Sequence, residues 1–171
     1  MKIDITHTLK DATAVIDALP RDIFRAQRSA EFDTVRFAKK EAQGRMVERT
    51  GIPAHVFRRI KGRVRSKNTE QYGVVWLGLR DVAAAYLGRL EQTPAGAKAG
   101  AFFFPGGFVA TMKSRHKSIF LRRGPDRLPI DEQNQEISVG HEVMQDVARL
   151  AEFELKRRFA DKVRQLNPHI S

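Results

Sequence analysis

The chain has no cysteine. Disulfides, thiolate zinc sites and cysteine nucleophiles are therefore excluded together. Long apolar runs are missing too. None approaches the roughly 18–20 residues that span a bilayer, and no continuous apolar core follows Met1-Lys2-Ile3-Asp4 as in a secretory signal. A soluble protein made in a cytoplasm, with no membrane partner, is expected. The five histidines, His7, His55, His116, His141 and His169, include no pair at a metal-ligand spacing such as H-E-x-x-H. No metal or cofactor is expected. Acids are few beside bases: 20 Asp and Glu against 31 Lys and Arg, a formal charge of +11. That excess favours polyanions or an acidic partner without choosing between them. Ribosomal, nucleoid and virion proteins share it, and so does a globular protein whose solvated surface is basic.

Catalytic signatures are equally sparse. Asp131-Glu132 and Glu152/Glu154 are adjacent or alternate acids, which do not converge on one site. Pro105-Gly106-Gly107 is no dinucleotide fingerprint, and Ala95-Gly96-Ala97-Lys98 lacks the Gly-Lys-Ser/Thr of a phosphate loop. Ser114 and Ser118 have no G-x-S-x-G context. The expectation is that the chain is not an enzyme.

At 171 residues, one domain covering 1–171 is expected, with 1–20 as an N-terminal helical arm. Thr8 is placed to cap a short helix carrying Leu9, Ala12, Val15, Ile16 and Leu19. Leu19-Pro20 ends it. Arg21 to about Thr50 reads as a long helix, with Ile23, Ala26, Ala30 and Phe37 in one apolar row and Phe24, Val35, Ala38, Ala42 and Met46 beside it. So many alanines suit close approach to a neighbour. Gly51 is a terminator, and Pro53 opens a short helix through Phe57. Tyr72–Leu79, a continuous apolar run, reads as a central strand with Trp76 inside it. Asp81–Leu90 is expected to form a helical turn or two, with Val82, Ala85 and Tyr86 inward. Thr93–Gly100, small and polar, is expected to be a mobile loop.

Residues 101–130 read as the organising stretch. Phe102–Phe104 is broken by Pro105-Gly106-Gly107. Phe108–Met112 then leads through a basic turn to Ile119–Leu121, the pattern of a β-hairpin with a long basic tip. Arg127–Ile130 adds a short edge strand. Ser138 caps a last helix whose stripe is Val143, Val147, Leu150, Ala151, Leu155 and Phe159, to about Leu166. The fold class is α+β: a small antiparallel sheet with a basic hairpin, built from Tyr72–Leu79, Phe102–Met112 and Lys117–Arg123, packed by long N-terminal and C-terminal helices.

Two basic clusters stand out. Residues 58–67 contribute Arg58, Arg59, Lys61, Arg63, Arg65 and Lys67 without an acid, and on a strand Lys61, Arg63 and Arg65 share one face. The hairpin contributes Lys113, Arg115 and Lys117, followed by Arg122 and Arg123. Such rows follow phosphates without reading sequence, meet an acidic protein surface, or guard a sheet edge.

The ordered combination F-P-G-G-F-V-A-T-M, basic turn, I-F-L-R-R-G-P-D-R-L-P-I and capped helix resembles the minor tail protein Z family of lambda-like tailed phages. It is also similar to the wider group of phage tail-completion and head–tail connector proteins. The likeness runs from about Ala26 to Leu166 and is strongest at Phe108–Met112, Phe120–Arg123 and Arg127–Ile130. It implies a structural virion protein, made in the host bacterial cytoplasm and placed at the head-proximal end of the tail. It further implies a homo-oligomeric, hexameric ring around double-stranded viral DNA. Tail-terminator or tail-tube proteins and head-connector or portal-side proteins would be its partners. Phe108, Arg122, Arg127, Pro129 and Ile130 fall at family-like positions, in folding or in contact. The alternative is a sequence-independent nucleic-acid-binding protein that uses the basic strand and hairpin as a phosphate clamp.

Overall fold

The computed structural model describes residues 2–4, 21–59, 64–69, 73–78 and 80–166. Its elements are β1 (Lys2–Asp4), α1 (Arg21–Thr50), α2 (Ala54–Arg59), β2 (Val64–Asn68), β3 (Gly73–Leu77) and β4 (Val82–Ala83), then a 3-10 turn (Ala84–Tyr86). There follow β5 (Leu90–Thr93), β6 (Gly96–Ala99), β7 (Phe102–Pro105), β8 (Phe108–Thr111), β9 (Lys117–Arg122), β10 (Ile130–Glu132), β11 (Asn134–Gln135) and α3 (Gly140–Leu166). The class is α+β, with a long helix early in the chain, another at its end, and small antiparallel sheets between. The expected Thr8–Leu19 helix, Lys61 and Arg63, and the side chains of Arg59 and Arg65 lie outside the description.

Helix α1 has Asp22 in its first turn and Arg49 in its last, the signs that suit the helix dipole. It ends at Gly51, whose N–H still bonds the Val47 carbonyl at 2.9 Å and whose positive φ of 67° turns the following chain out of the helix. α3 runs antiparallel to it. Lys162 pairs with Asp33 at 3.1 Å near one end, and Arg49 pairs with Glu142 and Asp146 at 3.0 and 2.7 Å near the other. Ala30, Ala38, Ala42 and Met46 of α1 are buried in the same core as Val143, Val147, Ala151 and Leu155 of α3. The buried face of α1 also takes in Gln27, Glu31 and Thr34, while Phe24, placed among the apolar residues by its spacing, is exposed. α3 begins at Gly140, two residues after the expected cap Ser138, and the Val143 N–H bonds the Val139 carbonyl at 3.1 Å.

Strand β3 is central in the order β1-β3-β2. A Cβ on Gly73 would lie 2.3 Å from the Val35 side chain, so α1 lies directly against this end of the strand. Gly73, Val75 and Leu77 share that covered face. Trp76 projects from the other and is 39% exposed, which corrects its placement inside the core. The run is continuous in apolarity but not covered equally on both sides. β1 pairs Ile3 with Val75 along the other edge, a strand not anticipated from the sequence.

Thr93–Gly100 is not a loop. β5 and β6 form a hairpin with Thr93 opposite Gly96, and β6 continues the sheet to β7, with Ala97 and Ala99 fully buried. The residues are small because neighbouring backbone leaves no room for larger ones. A Cβ on Gly100 would sit 2.6 Å from the Leu87 carbonyl oxygen. Asp81–Leu90 is largely non-helical, with Val82 buried as expected but Tyr86 48% exposed.

The expected single sheet is divided: β3, β7 and β8–β9 belong to three different sheets. The division falls at Phe104-Pro105-Gly106-Gly107, where the Gly107 N–H bonds the Phe104 carbonyl at 3.1 Å and Gly106 has φ +67°. This is a type II turn, with proline and then glycine at its two central positions. One side chain fastens the sheets across the corner. Gln92 Nε2 donates to the Gly96 carbonyl at 2.8 Å, and the Val109 N–H donates to Gln92 Oε1 at 2.8 Å. On the far side, the Gln133 N–H bonds the Ile119 carbonyl and the Ala84 N–H bonds the Gln133 carbonyl, both at 2.9 Å.

Candidate interaction groove on the basic hairpin

The hairpin β8–β9 forms as its sequence predicts, and β10 adds the edge strand, at Ile130–Glu132 rather than Arg127–Ile130. Register assigns the faces, because residues directly opposite in an antiparallel pair project to the same side. Phe108 faces Phe120, Ala110 faces Ser118, and Arg122 faces Ile130, so these six share one face. The other face carries Ile119, which is fully buried, and Val109 packed against the core. Ser118 and Phe120 are buried on the first face, so only its part around Phe108, Ala110, Arg122 and Ile130 remains open to form a site.

That side holds a groove of ≈ 750 Å³ lined by Phe108, Ala110, Met112, Lys113, Ser114, Arg122, Arg127, Leu128 and Ile130. The Arg122 guanidinium lies 5.3 Å from the Phe108 ring centroid, so the arginine stem and the ring form one wall. Leu128 is 67% exposed, unusual for a leucine in an otherwise basic and polar turn. Arg115, at the tip, has φ +63°, and its N–H bonds the Met112 carbonyl at 2.9 Å.

The charges around the groove are one-sided. No acid lines it. Asp131 projects from the opposite face and is bound by Arg123, whose Nη2 donates to Oδ1 at 2.9 Å. This hydrogen bond holds the Asp131 carboxyl below the usual carboxylate range. Glu132, on the groove face, accepts from His116 Nε2 at 2.7 Å when that nitrogen carries a proton. Asp131 and Glu132 are thus engaged with other partners, and Asp126, exposed beside Arg127 in the chain, does not line the groove. Lys113, Arg115, Lys117, Arg122 and Arg127 form no ion pair among the described residues.

Of the residues selected from sequence, Phe108, Lys113, Arg122, Arg127 and Ile130 meet in this groove. Pro129 is exposed immediately before β10, and Arg115 and Lys117 are exposed at the tip. The 58–67 cluster does not line it. Arg58 is exposed on α2, beside a separate cavity with Lys40, Glu41 and Gln43. Lys67 is exposed on β2 opposite Val74, and Arg65 lies opposite Trp76. Sequence reasoning missed Ala110, Met112 and Leu128. The alternation Phe108, Ala110, Met112 was visible as a period of two, whereas nothing in the sequence placed Leu128 opposite it.

No family model, curated protein or solved structure matches the chain. Among the described residues, no group of three or more His, Asp or Glu is arranged to hold a metal ion. The groove offers an apolar floor and a cationic rim.

Proposed function

We propose that this chain is a structural protein of a tailed phage or prophage virion, completing the head-proximal end of the tail and helping to join it to the head. One observation carries the proposal. The three segments that most resemble the minor tail protein Z family, Phe108–Met112 on β8, Phe120–Arg123 on β9 and Arg127–Ile130 entering β10, each contribute side chains to one open groove with a cationic rim, as a surface that meets other virion components would. The charge of +11 and a tip whose cations form no ion pair among the described residues suit a neighbour of encapsidated DNA.

In this proposal the subunits form a ring, hexameric as the resemblance implies, between tail-tube or terminator proteins and head-connector or portal-side proteins. Lys113, Arg115 and Lys117, or the 58–67 cluster, face the DNA channel. DNA binding by a single subunit is then weak, independent of sequence and salt-sensitive, because a channel lining that held phosphates tightly would retain the DNA. For duplex DNA the slope of log K against log salt approaches about −0.9 per phosphate neutralised. Electron microscopy of phage lacking the protein tests the proposal: tails should assemble but fail to join heads, and normal joining would refute it. The exposed, unpaired cations of the tip also favour a second reading, a sequence-independent nucleic-acid-binding protein. Tight duplex binding by an isolated monomer would support that one instead.

A further inference from the structure

The groove on the β8–β9–β10 face combines two features that rarely serve one ligand class alone. Its rim has three cations, Lys113, Arg122 and Arg127, with no acidic partner among the described residues. Its apolar lining is Ala110, Met112 and Ile130, half-buried, with Leu128 standing largely in solvent beside them. A free anion would use the first feature and leave the second idle. Duplex DNA presents its phosphates on a convex surface, with its thymine methyl groups recessed in the major groove, and so matches a cationic rim better than it matches an exposed apolar group such as Leu128. Base stacking on Phe108 is restricted because Arg122 already covers that ring. A protein segment with both acidic and apolar side chains uses the floor and the rim together.

We propose that this groove docks an extended acidic segment of a partner protein. One aliphatic or aromatic side chain of that segment rests on Met112, Leu128 and Ile130, and flanking Asp or Glu carboxylates pair with Lys113, Arg122 and Arg127. Charge complementarity selects this occupant over a second copy of the chain, which is itself strongly basic. Two acids of the adjoining strand are held by other partners, Asp131 by Arg123 on the opposite face and Glu132 by His116, and the exposed Asp126, next to Arg127 in the chain, forms no ion pair with the rim among the described residues.

The test is selection of short random displayed peptides on the full-length protein, followed by affinity measurement on synthetic copies of the enriched peptides. Enriched sequences should place Asp or Glu on both sides of a Leu, Ile, Phe or Trp. Arg122→Glu with Arg127→Glu, and separately Leu128→Asp, should each weaken binding about tenfold or more. Lys98→Glu, on an exposed position of β6, should change it by less than about threefold. All these side chains are exposed, and circular dichroism checks that each variant folds. The inference is overturned if no peptide is enriched, if enriched peptides lack the acidic–apolar pattern, or if they bind the groove variants equally well. Displacement of the peptide by a duplex oligonucleotide whose own binding is lost in the groove variants would reassign the site to nucleic acid. Self-association abolished by Leu128→Asp would reassign it to a second copy. The groove's chemistry carries this inference independently of the virion proposal: peptide binding can fail while head–tail joining still requires the protein, and the reverse.

Discussion

Gly96→Ala tests the tightest point of the β region. A Cβ there would lie 2.3 Å from the Phe104 carbonyl oxygen, 2.9 Å from the Gly106 nitrogen and 3.1 Å from Pro105 Cα. All three are backbone atoms, so no rotamer change relieves the clash and β6 must separate from β7. Gly96 also has φ +156°, a region that side chains with a Cβ rarely enter. Overpacking costs about 1–3 kcal/mol and a disfavoured dihedral a similar amount. With partial relaxation the loss should be about 2–4 kcal/mol. For a chain of this length each kcal/mol moves the thermal midpoint by about 2–4 °C, so the fall should be roughly 4–16 °C. Gly44→Ala is the internal control. It lies within α1, and its added Cβ would meet nothing within 4 Å. Alanine favours the helix by about 1 kcal/mol, so that midpoint should rise by a few degrees. Thermal melts followed by circular dichroism read both. In a flexible 93–100 loop, Gly96→Ala would instead be neutral or stabilising, by about 0.4–1 kcal/mol, through restriction of the unfolded chain. A midpoint that is unchanged or raised refutes the hairpin packing described above.

Two further outcomes are expected. Phe57→Ala should cost about 3–5 kcal/mol in urea unfolding, since Phe57 is 1% exposed, and Trp76→Ala clearly less; the reverse order would misplace the core. Glu31 is 7% exposed, and burial raises its pKa despite the Gln27 and Arg28 hydrogen bonds. With a raised folded-state pKa, its contribution to stability is complete below the unfolded value and is lost as pH rises through the folded one. Glu31→Gln should therefore stabilise the protein at neutral pH, with the advantage vanishing on acidification; an advantage that persists in acid would show that the charge is not its source.

The helices were legible in sequence because their signals are local. Apolar spacing, Gly51 and Pro53 set α1 and the start of α2 within a residue or so of where they lie. The hairpin β8–β9 was legible for the same reason: two apolar runs flank a basic turn. Thr93–Gly100 was misread because small residues have two opposite uses. They loosen a linker, and they also let backbones approach, and only the location of Phe104 and Leu87 decides between them. Trp76 and Tyr86 were assigned inward on apolarity, whereas burial depends on which face another element covers. Most of the groove lining falls in segments that the sequence marks out, Phe108–Met112, Phe120–Arg123 and Arg127–Ile130. The exposure of Leu128 was not legible, because it depends on how the connection from β9 to β10 lies beside the β8–β9 face, which no local pattern reveals.

The helix seam bears on how the molecule reaches its fold. Arg45 and Asp146, which touch across it, stand 101 residues apart in the chain. The β5–β6 and β8–β9 hairpins close over a few residues each. Closing the longer span costs more chain entropy before any contact offsets it. The hairpins are therefore expected to form early in folding, with docking of α3 on α1 completing the structure. Substitutions in the seam, such as Val147→Ala, should appear mainly as faster unfolding, with the refolding rate nearly unchanged. Until α3 docks, the alanine face of α1 remains open to water and to other chains.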